Sequence, residues 1–380
     1  MSRTKRTSRA NWPRRKPSTV APQLDRAPLV PEAILKRHKA FCRIDSRFRA
    51  AARYLQCLYL ADRNIPTGSY SYRVGDDNIV TEFGSILAPE AANAGLNFLD
   101  KDIYHLALRE VLMREDGAYY DEQRLFENAL SSQPLTFNLL GKLRLDLGLA
   151  TRVFSRLFPD LVQTVEHIAF ETSPWRRHPT KGLGDGTAFD AAVHAIAPDG
   201  QSTTIFIETK FSELMDGPVA RFRDKYLEAS RAVKLYCDPE DPLLQSAALE
   251  QFWREMNLAQ LARDEGLTSQ AVFMVIAPKL NRRVQTAIQA FQSLLIPAED
   301  QDPHRVAFHP VALESFIDII RDAGDPEIAS QLWGRYCDFE RVYETCYQQL
   351  TSPSEENTFV QIADALPTSA TSEATPRETV

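Results

Sequence analysis

The feature that most constrains this chain is a pair of apolar segments that carry charged residues. The glycine-rich run Gly184-Asp-Gly-Thr-Ala-Phe-Asp190 leads into the first segment, and the second is Ile205-Phe-Ile-Glu-Thr-Lys210. Residues two apart on a strand share one face, so Glu208 and Lys210 are expected to lie together on the side opposite Ile205 and Ile207. Burying unpaired charge is costly, and charges in such a segment therefore point to a function.

Asp190, Glu208 and Lys210 are the residue types that metal-dependent phosphodiester hydrolysis requires. Two carboxylates hold a hard cation, Mg²⁺ or Mn²⁺, and an ammonium positions or activates the attacking water. The backbone carbonyl of Thr209 is a candidate third oxygen ligand. The competing interpretation makes Asp190 a turn residue and Glu208–Lys210 a surface ion pair. The Ile-Phe-Ile run before Glu208 argues against an exposed strand.

The spacing Asp190…Glu208-x-Lys210 resembles the PD-(D/E)XK nuclease superfamily, with Phe189 in place of the proline. Further segments are similar to a bacterial family of restriction-endonuclease-like proteins in that superfamily. These are 95–99 (GLNFL), 128–140 (NALSSQPLTFNLL), the most family-specific piece, and 170–174 (FETSP). The resemblance covers roughly residues 50 to 345. It implies an αβββαβ core and DNA cleavage with Mg²⁺ held by Asp190 and Glu208.

Three polar residues are accessory candidates with open alternatives. Glu171 closes the first predicted strand and is either a further carboxylate near the cation or an exposed strand end. Asp185 lies in the glycine loop, where a turn role is favoured over a site role. Gln133 follows Ser131 and Ser132, either of which can cap a helix, and a helix N-terminus with a nearby amide can hold a phosphate.

Basic residues near these segments are candidate contacts to a nucleic-acid backbone, although each is individually more often a solvated surface charge. The loop between the first two predicted strands contributes Arg176, Arg177 and Lys181, and the segment after Lys210 contributes Arg221, Arg223 and Lys225. The run 182–186 lacks the glycine spacing of a dinucleotide site and does not open a helix. No Walker A sequence is present, so no nucleotide cofactor is expected.

Composition places the chain among soluble globular proteins. It has 380 residues, 44% of them hydrophobic, and no apolar run approaches the ~18 residues of a membrane span. No signal peptide is visible, which favours a cytoplasmic location. The five scattered cysteines indicate neither a zinc ribbon nor a disulfide framework.

Charge is distributed unevenly along the chain. Residues 1–73 hold 17 Lys and Arg against 4 Asp and Glu, a net +13, so that the rest carries −20 of the overall −7. A basic arm can contact phosphates, whereas an acidic body binds polyanions poorly. The alternative is that the basic segment is only a solvated tail.

Local patterns predict an α/β (α+β) protein with a mixed central sheet flanked by helices and a helical N-terminal elaboration. The predicted regions are a disordered basic tail at 1–30, the elaboration at 31–130, the nuclease-like core at 131–350 and a disordered tail at 351–380. Residues 70–94 are expected to be irregular, and Trp253 and Trp333 are expected in the core. The predicted helices are 32–62, 100–114, 121–130, 134–157, 219–235, 241–264, 311–323 and 326–347, and the predicted strands are 162–171, 187–196, 203–211, 271–277 and 305–309.

These features predict a Mg²⁺-dependent endonuclease that hydrolyses DNA, with a restriction-type enzyme as one form. A repair or recombination nuclease of the same superfamily is the first alternative. A non-catalytic nucleic-acid-binding protein that retains the fold is the second. The oligomeric state is left open, with a homodimer among the options.

Overall fold

The computed structural model describes residues 24–74, 77–297 and 305–352. The helices in these ranges are α1 (Glu32–Arg37), α2 (Arg47–Asp62), α3 (Pro89–Asn93), α4 (Lys101–Leu112), α5 (Glu122–Phe126), α6 (Ser132–Leu145), α7 (Leu147–Leu157), α8 (Asp224–Val233), α9 (Glu250–Asp264), α10 (Arg282–Leu294), α11 (Leu313–Asp322), α12 (Pro326–Tyr336) and α13 (Phe339–Thr351). The strands are β1 (Thr67–Val74), β2 (Asp77–Leu87), β3 (Thr164–Thr172), β4 (Phe189–Ile196), β5 (Ser202–Thr209), β6 (Gln270–Ala277) and β7 (Ala307–Ala312).

A five-stranded mixed sheet in the order β3-β4-β5-β6-β7 forms the centre of the molecule. The first three strands are antiparallel, and β5, β6 and β7 run parallel. The turn between β4 and β5 contains Gly200 at φ +83°, and Asp199 Oδ1 accepts the Gln201 amide at 2.9 Å. The predicted mixed sheet with flanking helices is therefore confirmed.

Both faces of the sheet are covered. Ile205 and Ile207 of β5 pack into one apolar cluster with residues of α2, α6, α7 and α11–α13. Phe206 packs into a second cluster with α8, α9 and α10. Because side chains alternate along a strand, Glu208 belongs to the face that α9 covers.

A buried arginine joins the N-terminal helices to the C-terminal helices. Arg335 of α12 is fully buried, and its guanidinium donates to Asn97 O at 2.8 Å, Asn97 Oδ1 at 2.5 Å and Gln56 Oε1 at 3.3 Å. Asn138 of α6 extends this network through a 2.8 Å bond to the Tyr336 hydroxyl. Asn97 and Asn138, from two of the family-like segments, therefore have a structural role here.

Several predicted helices are interrupted because aspartates cap new helices inside them. Asp146 accepts the Leu149 amide and begins α7, and Asp338 accepts the Arg341 amide and begins α13. Asp241 caps only a short 3₁₀ turn, Pro242–Gln245, and α9 starts later. The predicted helix at 32–62 is likewise two helices, α1 and α2.

Two other expectations are wrong. Residues 67–74 and 77–87 form the antiparallel strands β1 and β2 rather than irregular chain, and Leu87 is paired with Thr67. Trp333 is 40% exposed on α12, whereas Trp253 is buried and donates its indole N–H to Ser230 Oγ at 3.0 Å.

The packed chain begins earlier than the predicted tail boundary at residue 30. Ala27 and Val30 are buried, and Arg47 Nε donates to Ala27 O at 2.6 Å. The rest of the predicted tails, 1–23 and 353–380, lies outside the described residues. Within the described ranges, no helix has the length and apolarity needed to span a bilayer.

Deletion of residues 1–30 is expected to destabilise the protein, because it removes the buried side chains of Ala27 and Val30. Burial of such apolar groups contributes about 2 kcal/mol. Deletion of residues 1–23 is the matched control and should leave the unfolding free energy unchanged. Denaturant unfolding of both truncations measures the difference, and equal stabilities would show that residues 24–30 contribute nothing to the core.

Candidate active site

Three carboxylates form a row across the antiparallel half of the sheet. Phe170 pairs with Ala191 and Thr172 with Phe189, so Glu171 lies opposite Asp190. Ala191 pairs with Ile207, and the same register places Asp190 opposite Glu208. Cross-strand neighbours lie on the same face of a sheet at close distance. The structure thus brings Glu171, Asp190 and Glu208 together.

The Glu208 carboxylate is buried and is held by two donors. Lys210 Nζ lies 2.6 Å from Glu208 Oε1, and Gln251 Nε2 of α9 donates to the same oxygen at 2.8 Å. Lys210 Nζ also donates to Gln251 Oε1 at 2.6 Å. Glu208 and Lys210 are only 4% and 6% exposed, which excludes a surface ion pair.

Glu255 is a fourth carboxylate at this site that sequence reasoning missed. It is 1% exposed on α9, one helical turn after Gln251, whose Nε2 donates to Glu255 Oε1 at 2.8 Å. Its other oxygen, Oε2, is buried and has no hydrogen-bond partner in the described chain. The signal in the sequence was the spacing of Gln251 and Glu255, because residues four apart share a helix face.

Burial and neighbouring carboxylates raise the pKa values of two acids at the site, Asp190 and Glu255. Burial raises the pKa of Asp190 well above its usual range, and Glu208 raises it further, while Lys210 and the Thr209 amide oppose the shift. Thr209 N donates to Asp190 Oδ2 at 2.8 Å. Burial and then Glu208 likewise raise the pKa of Glu255. Two like-charged carboxyls in one site favour protonation of one of them.

For Lys210, burial and the neighbouring carboxylates shift the pKa in opposite directions. Burial acts to lower the pKa of its ammonium, but the carboxylates of Glu208, Glu213 and Glu255 outweigh burial and raise it. Lys210 is therefore protonated at neutral pH in the metal-free protein. This charge state favours orienting water or stabilising negative charge over removing a proton.

The donor set fits a hard divalent cation. Among the described residues, no three Asp, Glu, His or Cys side chains converge closely enough to hold an ion as they stand. However, Asp190 is half-buried and Glu208 and Glu255 are buried, and the three offer carboxylate oxygens in one cluster. The buried Glu255 Oε2, which has no hydrogen-bond partner among the described residues, would be stabilised by a cation. Oxygen donors of this kind suit Mg²⁺.

Glu171 is restrained by Arg176. Its backbone has φ +44°, a conformation that is rare and costly for a residue other than glycine. Arg176 donates to the Glu171 carbonyl at 2.6 Å and to its Oε1 at 3.2 Å. Burial raises the pKa of the Glu171 carboxyl, and Arg176 opposes that shift. Arg176 therefore fixes an acidic residue of the site.

Asp185 makes a turn contact and also lines the candidate site. Its Oδ1 accepts the Thr187 amide at 3.0 Å, which is a turn contact, and its Oδ2 accepts the Tyr226 hydroxyl at 2.6 Å. Arg254 Nη1 lies 3.4 Å from Asp185 Oδ2 and also bonds Thr187 Oγ1. Asp185 thus shapes the wall of the site and does not join the carboxylate row.

These groups line an open cleft of about 400 Å³, here called the acidic cleft. Five acidic residues and three arginines line it. The acids are Glu171, Asp185, Asp190, Glu208 and Glu255, and the arginines are Arg221, Arg223 and Arg254.

The remaining predicted residues are placed differently. Gln133 lies in the first turn of α6 and outside the acidic cleft, and its Oε1 is buried without a partner among the described residues. Arg177 is exposed, with its backbone N–H bonded to Asp185 O at 2.6 Å. Lys181 pairs with Glu265 at 3.1 Å. Lys225 Nζ donates to Lys181 O at 3.3 Å.

The fold and the site together define an α/β protein in which a mixed sheet presents clustered carboxylates in a cleft, with one lysine bonded to Glu208. A family model for the PD-(D/E)XK nuclease superfamily matches residues 43–338, and the chain belongs to this superfamily. Membership implies a nuclease. No curated protein and no solved structure matches the chain significantly.

Replacing Asp190 by Asn should stabilise the metal-free protein at alkaline pH. An acid whose pKa is raised by folding binds a proton more readily when folded, so its contribution to stability falls as pH rises above its unfolded value of about 3.8. The substituted side chain keeps an oxygen for the Thr209 amide but cannot ionise.

Unfolding of wild type and Asp190→Asn in EDTA, from pH 4 to pH 8, measures this difference. The variant should be the more stable at pH 8, and its advantage should shrink toward pH 4. A difference in stability that does not change with pH would show that folding does not raise the pKa of Asp190.

Proposed function

We propose that this protein is a divalent-metal-dependent endonuclease that hydrolyses phosphodiester bonds in DNA. The observation that carries the proposal is the row of Glu171, Asp190 and Glu208 on three adjacent strands, with the Lys210 ammonium bonded to Glu208. A buried ion pair of this kind contributes little net stability, so a structural role alone does not account for it.

Asp190, Glu208 and Glu255 are the residues that would hold the cation, with Mg²⁺ or Mn²⁺ as the candidates. When bound, the cation supplies Lewis-acid stabilisation of charge on the phosphate and lowers the pKa of water. Lys210 orients the attacking water and stabilises negative charge on the phosphoryl oxygens. Gln251 fixes Lys210 by bonding both its ammonium and the Glu208 carboxylate.

Lys210→Ala is expected to reduce cleavage of long DNA by at least about 100-fold, since it removes a preorganised charge from the reacting phosphate. It should also destabilise the metal-free protein by about 3 kcal/mol, because Glu208 is left as a buried charge without its cation. Gel assays in Mg²⁺ or Mn²⁺ and unfolding in EDTA measure the two effects. Lys101→Ala, at an exposed lysine of α4, is the matched control.

Metal binding is tested separately by thermal unfolding with and without Mg²⁺. Wild type should be stabilised by about 2.7 kcal/mol when Mg²⁺ reaches 100 times its dissociation constant. Lys210→Ala should keep a Mg²⁺ response, and Asp190→Ala should lose both that response and cleavage. An equal Mg²⁺ response in wild type and Asp190→Ala would show that the cation binds elsewhere.

The proposal covers two kinds of DNA nuclease, a restriction-type enzyme and a repair or recombination enzyme. Cleavage of methylated, unmethylated, branched and end-bearing DNA distinguishes them. A restriction-type enzyme should cut intact unmethylated duplex at defined sites. Cleavage confined to branched or end-bearing DNA would assign the repair class instead.

A further inference from the structure

A second and larger cleft adjoins the acidic cleft, and we call it the arginine groove. Its volume is about 920 Å³. The N-terminal elaboration contributes one wall, through residues 42–53, the β1–β2 hairpin and residues 124–131. The segment after β5, residues 210–220, and the start of α9 contribute the other wall. No sequence pattern singled out this groove, because its walls come from distant parts of the chain.

The groove is positively charged. The basic residues that line it are Arg43, Arg49, Arg53, Arg124, Lys210 and Arg254, and the acidic ones are Glu213, Asp216 and Glu250. Each acid is already engaged by another group. Glu250 pairs with Arg254 at 2.5 Å, Asp216 pairs with Arg283 at 3.1 Å, and Glu213 accepts the Phe211 amide.

The arginines that the N-terminal elaboration contributes to the groove outnumber the carboxylates that pair with them. Arg53 and Arg49 share one buried carboxylate, Asp45, at 2.7 Å and 3.2 Å. Arg49 Nε makes no hydrogen bond to the described residues despite that distance. Within the described chain, the Arg43 and Arg124 side chains have no ion-pair partner, and Arg43 is an exposed residue that lines the groove. The groove therefore has unsatisfied positive charge, which suits a polyanion.

Aromatic rings accompany this charge. The Arg53 guanidinium lies over the Phe83 ring at 4.7 Å from its centroid, and Tyr70 lines the same groove. Aromatic rings and stacked guanidinium groups are platforms on which unpaired bases stack, and basic groups beside them follow the phosphates. Paired bases inside a duplex do not offer their faces in this way.

The groove leads directly to the carboxylates. Both clefts are lined by Ala220, Gln251 and Arg254. Lys210 lines the arginine groove, while its partner Glu208, 2.6 Å away, lines the acidic cleft. A phosphodiester chain lying in the groove would therefore place its next phosphate beside Lys210.

We infer that the arginine groove binds a single, unpaired DNA strand and guides it to the acidic cleft. Its volume is near the upper end of the ~300–1,000 Å³ typical of ligand pockets, which suits a short stretch of one strand and not a duplex. The inference rests on the proposed nuclease function and specifies its substrate as DNA with an unpaired segment.

Binding in EDTA tests the groove without cleavage. Fluorescence anisotropy compares a labelled oligothymidylate of about 12 nucleotides with a blunt duplex of equal length, over a salt series. Wild type should bind the single strand at least about tenfold more tightly than the duplex. Arg43→Ala/Arg124→Ala should lose about tenfold in affinity, and the slope of log affinity against log salt should flatten by about 1.4, for two lost phosphate contacts.

Arg109→Ala/Arg156→Ala is the charge-matched control, because both arginines lie on helices outside the two clefts. Phe83→Leu tests stacking without a change of charge and should weaken single-strand binding about fivefold or more. Thermal unfolding verifies that every variant is folded. Equal loss in the two double variants, tighter binding of duplex, or competition by thymidine monophosphate as effective as by the oligonucleotide would overturn the inference.

Different results would overturn the groove assignment and the nuclease proposal. If Asp190→Ala abolishes cleavage but the groove variants bind like wild type, the nuclease assignment stands and the groove assignment falls. If the groove variants lose binding but wild type cuts no DNA with Mg²⁺ or Mn²⁺, the groove remains a strand-binding site and the catalytic assignment falls.

Discussion

The register of β3, β4 and β5 places like charges beside one another, and the surrounding structure compensates for that repulsion. Glu171, Asp190 and Glu208 occupy one row because the two antiparallel pairings align them. A row of buried and half-buried carboxylates is stable only if donors and cations surround it. The Arg176 guanidinium bonds Glu171, the Thr209 amide bonds Asp190, and the Lys210 ammonium and the Gln251 side-chain amide bond Glu208.

The surrounding donors do not satisfy every carboxylate oxygen at the site. Glu255 keeps one buried oxygen, Oε2, that has no partner among the described residues. Burial and neighbouring carboxylates raise the pKa values of Asp190 and Glu255, so the metal-free site holds acidic groups that a cation would stabilise. The carboxylates of Glu208, Glu213 and Glu255 raise the pKa of Lys210 and keep it protonated. Binding of a divalent cation and preservation of the lysine charge thus depend on one cluster, which Gln251 connects through bonds to Glu208, Lys210 and Glu255.

The N-terminal elaboration has a defined position because of buried polar contacts. Arg335 binds Asn97 and Gln56, and Asn138 binds Tyr336, so the helices before residue 130 are fixed against the C-terminal helices. That arrangement holds α2 and the β1–β2 hairpin beside the segment that follows β5. The acidic cleft and the arginine groove consequently meet at Gln251 and Arg254, next to Lys210, where chemistry and substrate binding would have to meet.

The sequence by itself determined the strands β3–β6 and singled out Asp190, Glu208 and Lys210 as a predicted site, because strand periodicity and local spacing are properties of short segments. It did not reveal Glu255, Gln251 or the groove arginines, which approach the site only when α9 and the N-terminal elaboration pack on the sheet. Helix breaks at Asp146 and Asp338 were also missed, since apolar periodicity continued across them, and the paired strands at 67–74 and 77–87 were predicted to be irregular chain. Long-range packing brings Glu255, Gln251 and the groove arginines to the site. Contacts between distant segments leave no pattern within any one segment.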